Sequence, residues 1–223
     1  MLKISILSPQ QQDSIHAAAL NVLKTTGCEI QDKKWLEVLA QGGVKVDFTT
    51  SRAFVTDEDI VNSALNSCGR SIKYLARDPK KDRIIGQGTA KTHTPEGTIT
   101  VIDLHTRIRR QACLSDLADL TKICDYLPNV DAVVDPVIPY DIHPSFQGLM
   151  ALRTMIENSS KPVDPAGLAM GKGFPFVLQM LFALLGDRDK AEYSMGIGVT
   201  ATSPLRFPFN QLDFFWQGIE LGT

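Results

Sequence analysis

Three short apolar runs in the second half of the chain stop in the same way, at a polar side chain followed by proline. Asp135-Pro136 closes the run 130–134, Asp164-Pro165 closes 161–163, and Ser203-Pro204 follows 193–200. Proline has no N–H to donate, so a strand ladder ends there. The side chains at and just beyond these stops are Asp135, Tyr140, Asp141 and His143 after the first run, Asp164 after the second, and Thr202 and Ser203 after the third. A carboxylate or an aromatic face suits a cationic ligand. Each residue also has a plainer role open to it. Asp before Pro commonly starts turns and helices. His143 stands before a helical pattern, where it caps or faces solvent, and Ser203 ends its strand or caps the next helix.

The elements that must position these side chains form a repeat. Val130-Asp131-Ala132-Val133-Val134 is rich in β-branched residues and apolar nearly throughout, the pattern of a strand buried on both faces of a parallel sheet. A helical pattern follows over 145–159, then the run 161–163, a helix over 174–185, the run 193–200 and a helix over 208–218. The spacing of about 30 residues per strand is that of βαβ units. A closed (β/α)8 barrel needs eight units in ~250 residues, and 129–223 holds three. Either the sheet is open and small or this is the front part of a longer protein; the expected fold is the latter, α/β, the first three to four βα units of a truncated TIM-type barrel over 129–223. A fourth strand is expected to begin after Gly218.

Residues 1–128 read as an N-terminal helical and β-hairpin region. Ser8-Pro9 starts a helix whose stripe Ile15, Ala18, Ala19, Val22 and Leu23 is expected to be buried, with Gly27 as its left-handed cap. A second helix opens near Asp32 and carries Trp35, Leu36 and Leu39. A strand over 52–55 leads to Thr56, the expected cap of a helix burying Ile60, Val61, Ala64 and Leu65. From Ser71 the period becomes two, with strands over 72–76, 83–85 and 98–104 predicting small antiparallel pairings. Ser115 is the expected cap of a helix over 116–127, with Leu117, Leu120 and Cys124 inward.

Composition excludes several classes of function. The chain has 223 residues, 43% hydrophobic and 22% charged, enough apolar material for a sizeable core. A formal net charge of -2 gives no electrostatic case for nucleic acid or an anionic membrane. Cys28, Cys68, Cys113 and Cys124 lie far apart without CxxC, as reduced, mostly buried thiols would. No run approaches 18 apolar residues and Met1-Leu2-Lys3-Ile4 opens into polar sequence, so the expected location is the cytoplasm. Gly171-Lys172-Gly173 lacks the spacing of a phosphate loop, and Gly86-Gln87-Gly88 reads as a turn. His93 and His105 flank the hairpin and could meet across it, but without a cysteine or paired carboxylates they define no metal site. The tract Phe207, Phe209, Phe214, Phe215 and Trp216 reads as a helix face packing on the sheet, or as a sticky surface favouring association of copies.

Stretches spread along the chain resemble one family. Ile15-His16-Ala17-Ala18-Ala19-Leu20 with Leu23 and Thr26-Gly27 resembles its first helix, and Tyr74-Leu75-Ala76-Arg77-Asp78-Pro79 resembles its "ARDP" turn. Asp103 with Thr106, Arg109, Arg110 and Ser115-Asp116 resembles the hairpin exit. Asn129-Val130-Asp131, Lys161-Pro162 and Ser203-Pro204-Leu205 resemble the starts or ends of early barrel strands. In order and spacing these are similar to the N-terminal half of the trimethylamine and glycine-betaine:corrinoid methyltransferases (MttB-like proteins), over residues 15–223.

The resemblance implies a barrel enzyme that moves a methyl group from a small methylated amine to the cobalt of a separate cognate corrinoid protein. No cofactor is then bound directly; the corrinoid (cobalamin) is carried by the partner. A quaternary ammonium is already activated by its charge, so the protein mainly positions it. A tertiary amine needs more activation, which in one branch comes from pyrrolysine, at a position beyond Thr223. Barrel sites form at the C-terminal ends of the strands, which makes the seven residues above the substrate-binding candidates for a permanently cationic substrate. Two further classes stand beside this one: a non-catalytic barrel module that completes its sheet against a partner chain, and an unrelated small α/β enzyme. An unpaired parallel edge would favour the former.

Overall fold

The computed structural model describes residues 6–86, 88, 90–164, 171–186 and 198–221. The described residues group into two compact units, one within Met1–Cys68 and Val199–Asp213, the other within Gly69–Gly198 and Phe214–Thr223. Each has its own apolar core.

The first unit opens with helix α1, Pro9–Thr25. Ser8 and Gln11 cap it reciprocally, each side chain accepting the other's backbone N–H. Gly27 follows at φ +64°, where a Cβ would lie 2.5 Å from the Ala53 carbonyl oxygen, so the turn into β1, Cys28–Ile30, admits only glycine. Next come α2 (Lys33–Gln41), β2 (Lys45–Asp47), β3 (Arg52–Phe54) and α3 (Glu58–Ser67). The core of this unit gathers Ile30, Leu36, Val44, Ala53 and Leu212.

Two expectations fail here. No residue of α1 or α3 is buried; Ile15 is 58% exposed and Leu65 is 54% exposed. Both helices are amphipathic by sequence, yet within this unit their apolar faces meet too little neighbouring chain. The cap of α3 is Asp57, whose carboxylate accepts the Asp59 N–H at 3.0 Å, and not Thr56.

In the second unit, β4 (Ile72–Tyr74) pairs antiparallel with β5 (Arg83–Ile85), and β6 (Thr100–Ile102) with β7 (Arg109–Gln111). Helix α4, Leu114–Tyr126, starts at Cys113 instead of Ser115, because Asp116 reaches back to the Cys113 N–H. Then come β8 (Val133–Val134), α5 (Pro144–Asn158), β9 (Val163–Asp164) and α6 (Phe174–Leu185). β8 and β9 run parallel, with Val133 opposite Val163 and Val134 opposite Asp164. Leu117, Val133, Leu152, Met155, Phe174 and Leu181 are all 2% exposed or less and form the core. Burying one such side chain contributes about 1.5–3 kcal/mol. Phe214 completes it, edge to face with Phe174 at 4.8 Å between centroids.

The other flank of β8 is also occupied, by a segment no apolar pattern announces. His93 bridges Ala132 and Thr98 bridges Val137, both in parallel sense. Between them the Thr94 hydroxyl accepts the Val134 N–H at 2.9 Å and donates to the Val134 carbonyl, so a side chain replaces a rung of the ladder. His93 pairs within this flank, while His105 lies in the turn that Asp103 organises.

The chain returns to the first unit at β10, Arg206–Phe207, parallel to β1, which gives the sheet order β10-β1-β3-β2. The strand expected over 193–200 falls mostly on 193–197, outside the described residues, and 198–200 carry no strand. The last helix, α7 (Phe209–Leu221), runs through Gly218, where a fourth strand had been expected. Helical hydrogen bonding continues because nothing in Gln217-Gly218-Ile219 forbids it.

Candidate functional site

The C-terminal ends of β8 and β9 bring two of the expected residues together. The Asp135 N–H donates to the Asp164 carbonyl at 3.1 Å, one step beyond the Val134–Asp164 pair. Both side chains are buried, Asp135 at 2% and Asp164 at 5% exposure. The backbone explains why they end up there. Pro136 ends the ladder just after Asp135, while the Asp135 carbonyl still accepts the Gly97 N–H at 3.1 Å from the flanking segment.

The two carboxylates have different surroundings. Asp164 accepts a hydrogen bond from the Tyr74 hydroxyl at 3.0 Å. Asp135 Oδ1 is buried with no hydrogen-bond partner among the described residues. Burial, with the negative charges of Asp164 and then Glu96 adding to it, pushes the Asp135 carboxyl up to about 8. It is therefore largely protonated at neutral pH. A buried acid facing another acid, with one oxygen unanswered, is a site that gains from the arrival of a cation.

The other expected residues do different work. Asp141 accepts the Leu114 N–H at 2.9 Å, at the first turn of α4. His143 is the N-cap of α5, its Nδ1 accepting the Ser145 N–H at 3.3 Å. Tyr140 is 46% exposed, and its backbone N–H donates to Ala112. Thr202 and Ser203 belong to the first unit, where Thr202 and Arg206 exchange backbone hydrogen bonds at 2.7 and 2.9 Å around the cis Ser203–Pro204 peptide.

Several participants escaped the sequence reading. Tyr74, Thr94 and Glu96 become relevant only once β4 and the 93–98 segment are placed. Thr-Pro-Glu-Gly has the composition of a turn, so nothing in it signals a strand flank. Lys161 is buried at 5% exposure, and its Nζ donates to the Cys124 and Leu127 carbonyls, both at 2.6 Å, at the C-terminal end of α4. Its amine is held below the ordinary lysine range, burial being the chief cause. A small cleft of about 10 Å³, lined by Arg77, Ile156, Lys161, Val163 and Leu181 among others, lies by the start of β9 rather than its end. It has room for about one water.

A second acidic cluster sits at the hairpin exit. Arg110 clasps Asp116 through two hydrogen bonds, 2.7 and 2.9 Å, and reaches Asp103 at 3.3 Å. The Arg110 hydrogen bonds hold Asp116 well below the usual carboxylate range. Asp103, which accepts the Thr106 and His105 N–H groups, is lowered to about 2, the Thr106 backbone bond being the leading cause. Among the described residues no group of three His, Cys, Asp or Glu side chains could hold a metal ion, and no helix is long and apolar enough to cross a membrane.

Comparison with known proteins places the chain in a family. The family model described as trimethylamine methyltransferase (MTTB) matches residues 1–217. A trimethylamine methyltransferase MttB of Desulfitobacterium hafniense (strain DSM 10664 / DCB-2) is 31% identical over 218 residues, covering 96% of this chain and 43% of the relative. A trimethylamine methyltransferase MttB of Methanosarcina thermophila is 24% identical over 243 residues, covering 99% and 47%. A glycine betaine methyltransferase of Desulfitobacterium hafniense (strain Y51) is 28% identical over 160 residues, covering 71% and 33%. The chain thus spans less than half the length of these curated relatives. It belongs to the trimethylamine methyltransferase (MTTB) family.

Proposed function

We propose that this chain is the N-terminal part of a methyltransferase that takes a methyl group from a methylated amine, trimethylamine or a quaternary amine such as glycine betaine, to the cobalt of a separate corrinoid protein. In this reading β8 with α5 and β9 with α6 are early units of a (β/α)8 barrel, and the amine sits at the C-terminal ends of the strands. The relatives' names support the transfer and the amine. One observation carries the subsite: Asp135, buried beside Asp164, has an oxygen without a hydrogen-bond partner among the described residues.

Asp135 and Asp164 supply negative charge to hold the cationic nitrogen, Tyr74 fixes the orientation of Asp164, and burial keeps water from screening the attraction. The residues named here act on the amine. The cobalt enters as the methyl acceptor on the partner protein, and the amine leaves neutral once the methyl has gone.

Calorimetric titration with glycine betaine, trimethylammonium and an uncharged isostere carrying carbon in place of nitrogen tests the subsite. Binding of the two ammonium compounds and not of the isostere is expected, lost in Asp135→Asn. This part is not expected to transfer the methyl group alone, so the transfer is tested by mixing the full-length protein with reduced corrinoid protein and each amine and following methyl–cobalt absorption. Equal binding of charged and uncharged probes, with no methyl–cobalt signal from any amine, would overturn the reading.

A further inference from the structure

The Asp135–Asp164 pair has a property that goes beyond holding a cation. Two buried carboxylates on adjacent strand ends cannot both ionise cheaply, so the pair keeps a proton until something else supplies positive charge. Among the described residues the charged groups acting on Asp135 are Asp164 from β9 and Glu96 from the 93–98 segment, both acids. From β4, the Tyr74 hydroxyl donates to Asp164 Oδ2 at 3.0 Å, while Asp135 has no such donor among the described residues. The unanswered Oδ1 belongs to that same Asp135.

We propose that cation uptake at this site is a proton exchange: the substrate's ammonium group displaces a proton from Asp135 to solvent, and Tyr74 is the positioning residue that holds the Asp164 carboxylate beside it. The inference rests on the cation subsite proposed above. The exchange balances. The O–H bond of the Asp135 carboxyl breaks, its electron pair stays on the carboxylate, the proton passes to buffer, and one positive charge replaces another. Because the net charge of the site is unchanged, the exchange itself leaves the buried pair without two uncompensated negative charges.

The consequence is selection by pH. Affinity for a permanently cationic amine rises with pH while Asp135 is protonated in the free protein, then levels off once it is ionised. The test is calorimetric titration of the chain with glycine betaine and with tetramethylammonium chloride. Titrations run from pH 6 to 9 in pairs of buffers with different ionisation enthalpies, which count the protons released. We expect close to one proton released per cation at pH 7 and affinity rising roughly tenfold per pH unit up to the break near pH 8. In Tyr74→Phe the break moves upward, because the doubly ionised pair loses a donor, while affinity above the break changes little. A merely structural role for Tyr74 would lower affinity equally at every pH. The wild-type titration decides the matter without any variant. Cation binding that is flat with pH and releases no proton overturns the exchange and leaves the subsite standing. No cation binding at any pH overturns both.

Discussion

Asp135 at the end of β8 and Asp116 in the first turn of α4 are the same side chain in the same unit, yet they titrate in opposite directions. Asp116 has a bidentate arginine and a backbone N–H, and its carboxyl is held down. Asp135 is buried, with an acid for a neighbour and an oxygen without a partner among the described residues, and its carboxyl is pushed up. The first arrangement spends its charge on locking a helix start to a hairpin. The second leaves charge unspent, which favours binding over stability. Lys161 is as deep as Asp164 and burial holds its amine down, but two carbonyls at the end of α4 answer it.

The contrast can be broken or sharpened by pH and by substitution. The largest effect belongs to Asp135. Its folded carboxyl titrates near 8 and its unfolded one near the ordinary value of about 4, so between those limits the folded state holds the extra proton. Stability is therefore expected to fall as pH rises from about 4 to about 8, by up to ~1.4 kcal/mol per unit. Urea unfolding at pH 5 and pH 8 measures this, and Asp135→Asn should flatten the slope. A slope of the opposite sign would remove the contrast.

Lys161→Met should come next, at about 2 kcal/mol of lost stability, because the Cys124 and Leu127 carbonyls are left buried without their donor. Thermal unfolding followed by circular dichroism reads it. A neutral outcome would mean that the buried amine is as poorly answered as Asp135.

Asp116→Ala should cost ~1 kcal/mol through the lost cap. The sign with pH is opposite to that of Asp135: a lowered carboxyl stabilises above about pH 4 and loses that contribution as pH falls through its folded value. The acid limb of the unfolding curve should therefore flatten in this variant. Smallest is Asp141→Ala, which removes one acceptor at an exposed helix start and should cost ~0.5 kcal/mol, measured in the same way.

Much of this was legible in the sequence, and what was not has physical reasons. Helix starts could be read because Ser8-Pro9 and Asp32 carry their partners within three residues. Asp135 and Asp164 could be picked out because proline marks each strand stop. The 93–98 flank could not, since its contact with β8 runs through a threonine hydroxyl that no periodicity records. Tyr74 was visible as part of a motif but not as a donor, because the residue it serves is ninety positions away. The exposed faces of α1 and α3 show the converse: an amphipathic stripe states what a helix could cover, and only the fold decides whether it does.

The parallel pairing of β10 with β1 has a consequence for how the molecule is made. Along the second unit, 93–98, β8 and β9 are laid side by side in chain order, so each arriving strand finds its neighbour already in place. The first unit cannot finish that way, since Glu29 waits for Arg206. During synthesis the edge of β1 stays open until Arg206 and Phe207 have been made, and that interval is when a chaperone or a neighbouring nascent chain has its best opportunity to occupy it.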